Sequence, residues 1–433
     1  GGSGTAVTLA CGATQSGFGR TGTVDWQTGS IKTATFTAVS GEGYFCNTTG
    51  GSFEVDLPTG SAGDIVSVQD YNNTFDSNSL IVDPPAGQKI NGGTNGGKIT
   101  LNTEGEGVTL VYVDSTVGWR SIHQSTFADV GADAQFITAT GGTITTVCTN
   151  FKVHTFTGPG TFCVSCAGNA EGSNTVSYLV VAGGAGGAGS QPNYTAGGGG
   201  GAGGFREGRT TTCSYTVSPL NAPAGLPVTA QGYPITVGGG GNGGAGYGVR
   251  GSDGNNSIFS TITSEGGGGG GIYPSLNGNP GGSGGGGGGF DGTGAGSGNT
   301  PPVSPAQGTD GGTGRGPQSS SVAGGGGGGA TVAGTNSPGA AVGGAGGTGA
   351  TSSINGTPTA RAGGGGGGSG TGGAGGTGGG GAGVAFDYPA GTAGTTNSGG
   401  GGGGVGGDGS SPSNVKTGGA GGSGIVIIRY KFQ

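Results

Sequence analysis

The chain has 433 residues, of which 124 are Gly and only 8% are charged, so an ordinary large hydrophobic core is not expected. Its formal net charge is −7 and its 14 Lys and Arg residues form no cluster, which argues against nucleic acid as a partner. The longest apolar runs are too short to cross a membrane as helices, so membrane insertion is not expected. The absence of Met, even at position 1, predicts a processed product or part of a longer protein.

Residues 1–30 are small and polar with little pattern, which predicts a connector or an edge strand. Residues 31–125 contain short alternating segments rich in β-branched and aromatic types and bounded by Gly, Pro, Asn or Asp, which predicts an all-β domain. Trp119 is expected to plug one end of its core. The segments are Thr33–Val39, Ser52–Leu57, Asp64–Gln69, Ser79–Val82, Lys98–Leu101 and Gly107–Val113.

Residues 126–182 predict a second β segment, because five further stretches have the same composition. No window in the chain keeps a helical period, so no α-helix of note is expected. The predicted strands are Gln135–Thr140, Thr143–Cys148, Phe151–Phe156, Gly160–Cys166 and Thr175–Ala182.

Residues 183–424 alternate glycine runs with inserts of unequal length, and residues 425–433 form a closing strand. Unbroken runs of six Gly stand at 266–271, 284–289, 324–329, 363–368 and 399–404. Such composition is typical of disorder, but a flexible linker has no reason to keep its runs at similar length. The alternative, which we favour, is a bundle of polyglycine II helices, the glycine analogue of polyproline II with three residues per turn.

In such a bundle every N–H and C=O group must bond to a neighbouring helix, and the missing Cβ permits the close approach. The inserts then form loops at the two ends of the bundle. Tyr178–Ala182 leads into the bundle and Ile425–Tyr430 leaves it, so these two segments are expected to pair in a small sheet together with Tyr233–Val237.

Several segments resemble the glycine-rich domain of bacteriophage tail-fibre and adhesin proteins over residues 178–430. They are Ser177–Gly184, Gly200–Arg206, Tyr233–Gly241, Gly254–Phe259 and Gly421–Tyr430, and upstream Gly43–Gly51, Ala62–Val66, Val108–Asp114 and Gly118–Trp119 are similar to a tail-fibre module. The resemblance implies a polyglycine bundle whose distal loops touch a host receptor, an extracellular virion location, and a homo-oligomer, often a trimer.

The six cysteines are Cys11, Cys46, Cys148, Cys163, Cys166 and Cys213, an even number that suits disulfides outside a reducing cytosol, with buried free thiols as the alternative. A bond between Cys163 and Cys166 is not expected, because strand positions three apart face opposite sides. Cys148 with Cys163 or Cys166 is the pairing favoured. A zinc site is not expected, since no second Cys-X-X-Cys exists.

No cofactor, metal or catalytic site is predicted. Matches to a nucleotide-binding Gly-X-Gly-X-X-Gly pattern arise by chance in glycine runs, with no helix to follow them. Neither His123 nor His154 stands near a nucleophile motif, and solvation explains Glu54, Asp56, Asp64 and Asp70. The chain is therefore expected not to be an enzyme.

Aromatic residues in the inserts are the candidates for receptor contact. Tyr273, Phe290, Phe386 and Tyr388 stand beside Gly, Pro and Asp, with Asp387 between two of them. Rings on a rigid scaffold provide contact area at low entropic cost, although they could instead cap the bundle against water.

Two functions remain open. One is a tail-fibre or adhesin protein that binds a host protein or glycan receptor through loops 272–280 and 382–398. The other is a structural subunit of an extracellular filament or coat, bound to identical subunits and cross-linked by disulfides.

Overall fold

The computed structural model describes residues 24–122, 134–169, 172–190, 195–246, 248–273, 277–289, 294–316, 322–339, 341–407 and 416–433. The chain divides into two compact units, Gly1–Ala134 and Gln135–Gln433. The described residues form strands, bridges and turns without a helix, so the predicted all-β fold is confirmed. No helix long and apolar enough to cross a membrane occurs in this part of the chain.

Unit 1 alternates between two sheets as the chain proceeds. One sheet has the order β1-β3-β5-β8-β9 and the other β2-β4-β6-β7. β1, β3 and β5 are parallel to one another, as are β2, β4 and β6, so the chain winds as a short coil that antiparallel β7, β8 and β9 close. The strands are β1 Asp25–Trp26, β2 Phe36–Thr37, β3 Glu42–Cys46, β4 Phe53–Asp56, β5 Ile65–Asp70, β6 Leu80–Asp83, β7 Ile99–Leu101, β8 Gly107–Asp114 and β9 Gly118–Ser121.

The core of unit 1 follows from the alternation of side chains along these strands. In β4, Phe53 and Val55 are buried while Glu54 and Asp56 face outward, as a half-buried strand requires. Trp119 is fully buried, packs edge-on against Tyr112 at 5.6 Å between ring centroids, and donates its Nε1–H to Gln88 Oε1 at 3.2 Å.

Unit 2 contains a seven-stranded sheet, a five-stranded sheet and a hairpin. The first has the order β11-β12-β23-β14-β15-β16 with β17 on β14, the second β10-β13-β18-β19-β20, and the hairpin is β21-β22. The strands are β10 Ile137–Thr140, β11 Thr143–Val147, β12 Phe151–Phe156, β13 Gly160–Ala167, β14 Thr175–Val181, β15 Phe205–Gly208, β16 Asn221–Ala222, β17 Leu226–Pro227, β18 Gly232–Thr236, β19 Ser257–Phe259, β20 Ile262–Ser264, β21 Ala350–Ser352, β22 Thr359–Arg361 and β23 Ile425–Lys431.

The two apolar strands β14 and β23 pair antiparallel, with Tyr178 opposite Ile428, as the sequence predicts. One face of their sheet packs on the five-stranded sheet through Phe162 and Phe259, and the other packs on Ile354 of the β21–β22 hairpin. A strand covered on both faces carries a continuous apolar run, which explains the run of Ile and Val in β23.

The expectation that Tyr233–Val237 joins this pair is wrong. The segment forms β18, which lies between β13 and β19 in the five-stranded sheet. β14 is already bonded to β23 on one edge and to β15 on the other, so no edge is left for β18.

The glycine-rich segments bond to one another through their backbones with a period of three residues. Gly198, Gly199 and Gly200 donate to three different runs, at Gly271, Gly325 and Gly402, over 2.8–3.0 Å. The next three residues repeat the pattern on the same runs, at Gly268, Gly328 and Gly399. Segment 197–204 accepts from three more runs, 182–188, 283–289 and 363–368, so it is bonded to six neighbours.

Inner and outer segments differ in sequence. All five runs of six Gly are buried along their whole length. Segments 342–349 and 371–377 instead carry a side chain at every third position, and these are the positions nearest solvent. The outward residues are Val342, Ala345, Thr348, Thr371, Ala374 and Thr377.

Candidate binding surface

The glycine-rich segments of unit 2 run alternately away from the two sheets and back. β14 leads outward into 183–190, and 197–204 returns into β15. At the side remote from the sheets, bridges join Ser190 to Lys416, Ala390 to Thr417 and Val384 to Val405. We call this side of unit 2 the far end. Gln135, where unit 2 begins, lies at the sheet side, where it bonds to Asn169.

The predicted contact residues that the structure describes all lie in far-end connections. Tyr273 and Phe386 are each 37% exposed and Tyr388 is 58% exposed, with Asp387 exposed between the last two. Phe290 lies outside the described residues; Gly289 just before it bridges to Ala196 at the far end. The structure therefore places residues from separate connections on one end of the unit.

Each of these connections is anchored by neighbouring residues. Ile272, just before Tyr273, is fully buried. In the other loop, the Val384 N–H bonds to Gly404 O at 3.0 Å, and the Tyr388 N–H donates to Ala385 O at 3.2 Å across a turn. The turn presents Phe386, Asp387 and Tyr388 outward while its two ends are held by bridges.

The five described cysteines are free thiols in the structure. Cys46 and Cys213 are buried, Cys148 and Cys163 are exposed, and Cys166 is intermediate, so the pairing favoured for Cys148 is not formed; Cys11 lies outside the described residues. Burial raises the pKa of the Cys46 thiol to about 12, with Lys32 opposing the shift, so this thiol stays protonated at neutral pH. Disulfide formation by the other thiols stays a prediction.

Three outward carboxylates of unit 1, Glu54, Asp56 and Asp83, lie close enough together to hold a cation. Lys98 already stands among them, with its Nζ 3.0 Å from Glu54 and 2.9 Å from Asp83. Partial burial lowers the pKa of Lys98, but the bonds to Asp83 and Glu54 outweigh it and raise the pKa overall. The ammonium group explains this cluster without a metal.

His123 lies outside the described residues. His154 is a buried core residue of unit 2. Its Nδ1–H donates to Gly141 O at 2.7 Å, because a carbonyl can only accept, and its Nε2 accepts from the Tyr430 hydroxyl at 3.1 Å. Burial lowers the pKa of His154 below its ordinary value of 6.5, the bond to Gly141 opposes the shift and the charge of Lys152 adds to it. The ring is therefore neutral and fully bonded.

Because of His154, the unfolding free energy of unit 2 is expected to fall as pH drops below about 6.5. The unfolded chain takes up a proton there, whereas the folded chain takes it up only at its lower pKa, so the contribution is complete above pH 6.5. Denaturant unfolding at about pH 7 and pH 5.5 measures the slope of the free energy of unfolding against pH. His154→Gln cannot take up this proton and should have a smaller slope; a slope equal to that of the wild type would contradict the assignment.

Two buried charged side chains lie on the face of the seven-stranded sheet that the β21–β22 hairpin covers. Glu207 is 1% exposed and accepts from the Ser218 N–H at 2.8 Å and the Ser352 hydroxyl at 2.6 Å. Arg429 is also 1% exposed and donates to Ile354 O and Ser214 O, both at 3.3 Å. Its guanidinium lies between the rings of Phe151 and Tyr215, at 4.5 and 5.1 Å.

An exposed aromatic surface in unit 1 was missed from the sequence. Trp26, within the region predicted as a connector, forms β1 with Asp25 and is 40% exposed. Its ring lies 4.9 Å from that of Phe45, and Tyr71, which follows β5 directly, is 53% exposed. A Trp within a polar, weakly patterned stretch was the signal that could have indicated it.

The fold and these surfaces define an all-β protein whose second unit is built on backbone-bonded glycine segments. The chain belongs to the glycine-rich domain family, whose model matches residues 155–431. A comparison with curated proteins finds no match.

Proposed function

We propose that the protein is a non-enzymatic extracellular surface protein of the tail-fibre or adhesin type, which binds a host protein or glycan through the far end of unit 2. The observation that carries the proposal is the position of Tyr273, Phe386 and Tyr388, which are all exposed at the end remote from Gln135. A chain attached at the sheet side would present these residues outward. A homo-oligomer, for which a trimer is the first expectation, would present several copies.

The scaffold we propose is a bundle of polyglycine II helices. The period of three in the backbone bonds of 197–204 supports it, since a helix with three residues per turn directs successive N–H groups to three neighbours. The six neighbours of this segment also support it, because all eight N–H groups and seven of the eight C=O groups of 197–204 bond to backbone without help from side chains. Such a scaffold holds its loops with little motion, which lowers the entropic cost of binding.

The far-end loops combine rings with a carboxylate. Phe386 and Tyr388 provide apolar area, and Asp387 between them can accept hydrogen bonds from a receptor. Aromatic residues are enriched among the few residues that dominate binding energy in protein interfaces, and truncating such a residue costs about 2 kcal/mol or more.

Binding of the labelled full chain to a panel of Gram-negative bacterial cells tests the proposal. Replacing both Phe386 and Tyr388 by Ala is expected to weaken binding by at least about tenfold, because two central rings are removed. Val332→Ala is the matched control, since Val332 is 51% exposed but lies at the sheet side of the unit. Equal binding by the double variant, or no binding by the wild type to any cell, would refute the adhesin function.

The second candidate is a structural subunit of an extracellular filament or coat. The exposed thiols of Cys148 and Cys163 favour it, because they are accessible for bonds between identical subunits. Electron microscopy of the native assembly separates the two: an open polymer supports the structural subunit, whereas a few copies at the tip of a particle support the adhesin.

A further inference from the structure

Strand β11 of unit 2 lies at the edge of the seven-stranded sheet with its outer side open. Among the described residues only β12 pairs with it. Its residues are Thr143, Ile144, Thr145, Thr146 and Val147, of which the first four are exposed and the last is half-buried. The backbone groups that point away from β12 therefore meet no other strand in this part of the chain.

β11 lacks the features that usually keep an edge strand from pairing with another chain. Natural edges are protected by charged residues, Pro or irregularities such as β-bulges. β10, which forms the edge of the neighbouring five-stranded sheet, has an irregular register between Thr138 and Ala139. β11 instead pairs with β12 in an unbroken register, and all five of its residues are uncharged, β-branched types that favour a strand. Its edge can therefore accept one more strand.

The apolar interior between the two sheets is open at this same edge. Ile144 stands opposite His154 in β12, and the ring of His154 contacts Phe162 of the five-stranded sheet at 5.0 Å between centroids. Ile144 therefore lies on the face of β11 that is turned toward that sheet. A pocket of about 210 Å³ lies there, and its lining includes Ile137 of β10, Ile144 and Tyr430. Ile144 is 44% exposed although Ile137 and Tyr430 belong to the core, so a partner on this edge would bury it.

We propose that β11 pairs with β11 of a second copy of this chain, about a two-fold axis that passes through Thr145 perpendicular to the sheet. A two-fold axis reverses one strand relative to the other, so the two strands pair antiparallel and the same edge serves both copies. Ile144 of one copy then lies opposite Thr146 of the other. Thr143 lies opposite Val147 in the same way, so only uncharged, β-branched side chains meet across the contact.

The open interior is what selects a second copy as the partner. A perpendicular axis keeps both copies of Ile144 on the same side of the joined sheet, so the open gaps between the sheets of the two copies face each other. A single peptide strand could bond to the β11 edge but would leave the gap beside Ile137 and Tyr430 open. A second copy brings a two-layered edge of its own and covers both.

The charges beside the edge permit this contact. Lys152 stands opposite Thr146 in β12, and its Nζ donates to the Thr146 hydroxyl at 2.9 Å. In the pair, the two copies of Lys152 would be separated by both β11 strands, which is three strand spacings or about 14 Å. That distance exceeds the Debye length of about 8 Å at physiological salt, so the two ammonium groups repel each other little.

This inference rests on the homo-oligomer of the proposed function and names its contact. β11 belongs to the sheets, and the far end is the side of unit 2 remote from them, so the pairing leaves the far-end loops uncovered. A two-fold contact produces a dimer, whereas a trimer needs a contact between two different surfaces. The oligomeric state and the binding to cells are separate measurements, so either proposal can fail without the other.

Sedimentation equilibrium of the full chain over a concentration range of about 1–300 µM tests the contact. One strand pair buries less than the roughly 1,200–2,000 Å² of a stable interface, so a dissociation constant in the micromolar range is expected. The measured mass should rise with concentration toward twice the 40.0 kDa of one chain.

Matched variants assign the association to β11. Ile144→Lys should weaken it by at least about tenfold, because the partner would cover the new charge and each copy would place it beside the same charge of the other. Ile144 is already 44% exposed, so in a single copy the Lys can reach solvent and the fold should persist, which near-ultraviolet circular dichroism checks. Val249→Lys is the control: Val249 is 45% exposed but lies outside the strands, so association should not change.

A mixture of opposite charges separates a lost contact from a damaged fold. Ile144→Lys mixed with Ile144→Glu should form mixed dimers at concentrations where Ile144→Lys alone is monomeric, because the two charges then attract each other across the axis. Native mass spectrometry distinguishes these mixed dimers from dimers of either variant by mass.

Any of four results would overturn the proposal. They are a wild-type chain that stays monomeric over the whole range, a trimer, association of Ile144→Lys as strong as that of the wild type, and a charge mixture that stays monomeric. The trimer would mean that the copies meet through two different surfaces, and undiminished association of Ile144→Lys would place the contact away from β11.

Discussion

Replacing Gly365 by Ala is expected to lower the free energy of unfolding of unit 2 by about 3 kcal/mol or more. A Cβ at this position would lie 2.1 Å from the Gly402 carbonyl oxygen and 3.2 Å from the Gly200 nitrogen. Both atoms belong to backbone in buried runs, so neither can move away as a flexible side chain would. The Gly365 N–H bond to Gly200 O, now 2.9 Å long, would lengthen or break. The backbone bond between Gly200 and Gly402 would be strained as well, because both segments would have to move apart.

Gly239→Ala is the matched control for this substitution. Gly239 also stands inside a glycine run, at 238–241, but it is exposed, and a Cβ there would meet only the Asn255 Nδ2 atom at 3.6 Å. The change should be neutral or stabilising by up to about 1 kcal/mol, since Ala loses less backbone entropy on folding. Denaturant unfolding of both variants measures the difference. If Gly365→Ala and the wild type had the same denaturant midpoint, the close backbone packing around Gly365 would be contradicted.

Replacing Glu207 by Ala is expected to cost about 3–5 kcal/mol of stability, because it removes one partner from a buried group of charges. The Ser218 N–H and the Ser352 hydroxyl would both lose their acceptor. Arg361 is also buried; burial lowers its pKa, and the nearby charge of Glu207 opposes that shift. Without Glu207 the guanidinium would lack this compensating charge.

Glu207→Gln keeps the shape of the side chain and one oxygen acceptor, so Glu207→Gln should lose less stability than Glu207→Ala. Thermal and denaturant unfolding of the full chain compare the two variants with the wild type. If Glu207→Ala were as stable as the wild type, the buried carboxylate would not support the packing of β15 against the β21–β22 hairpin. A loss in both variants of the same size would assign the effect to the charge alone.

The candidate surface was predictable in part. Tyr273, Phe386 and Tyr388 were identified from their neighbours Gly, Pro and Asp, which predict loops, and the structure exposes all three. That they share one end of unit 2 depends on the direction of each glycine segment. Because successive segments run away from the sheets and back in turn, two residues share an end only if the number of segments between them is even. That number cannot be counted in the sequence, since the inserts between the segments differ in length. Trp26 and Asp70 lie 44 positions apart in sequence, and only the coiling of unit 1 places their strands, β1 and β5, in one sheet.

The inner and outer glycine segments carry a sequence signal that was not used. A side chain at every third residue, as at Val342, Ala345 and Thr348, indicates an outer segment, because the backbone hydrogen bonds of the glycine segments repeat every three residues and these positions are the ones nearest solvent. An unbroken run indicates an inner segment, where all sides meet backbone. The rule needs only the sequence and the three-residue period.

The sequence by itself determined that the chain is all-β with a glycine-rich domain, where most of its strands lie, and that β14 pairs with β23. Local alternation and apolar runs carry this information, since each depends on the immediate neighbours of a residue. Only the tertiary structure decided the parallel coiling of unit 1, the position of β18 in the second sheet, and which six segments surround 197–204. Glycine segments have no side chains to distinguish one partner from another, so their neighbours are selected by the lengths of the connections and by the sheets in which the segments begin and end.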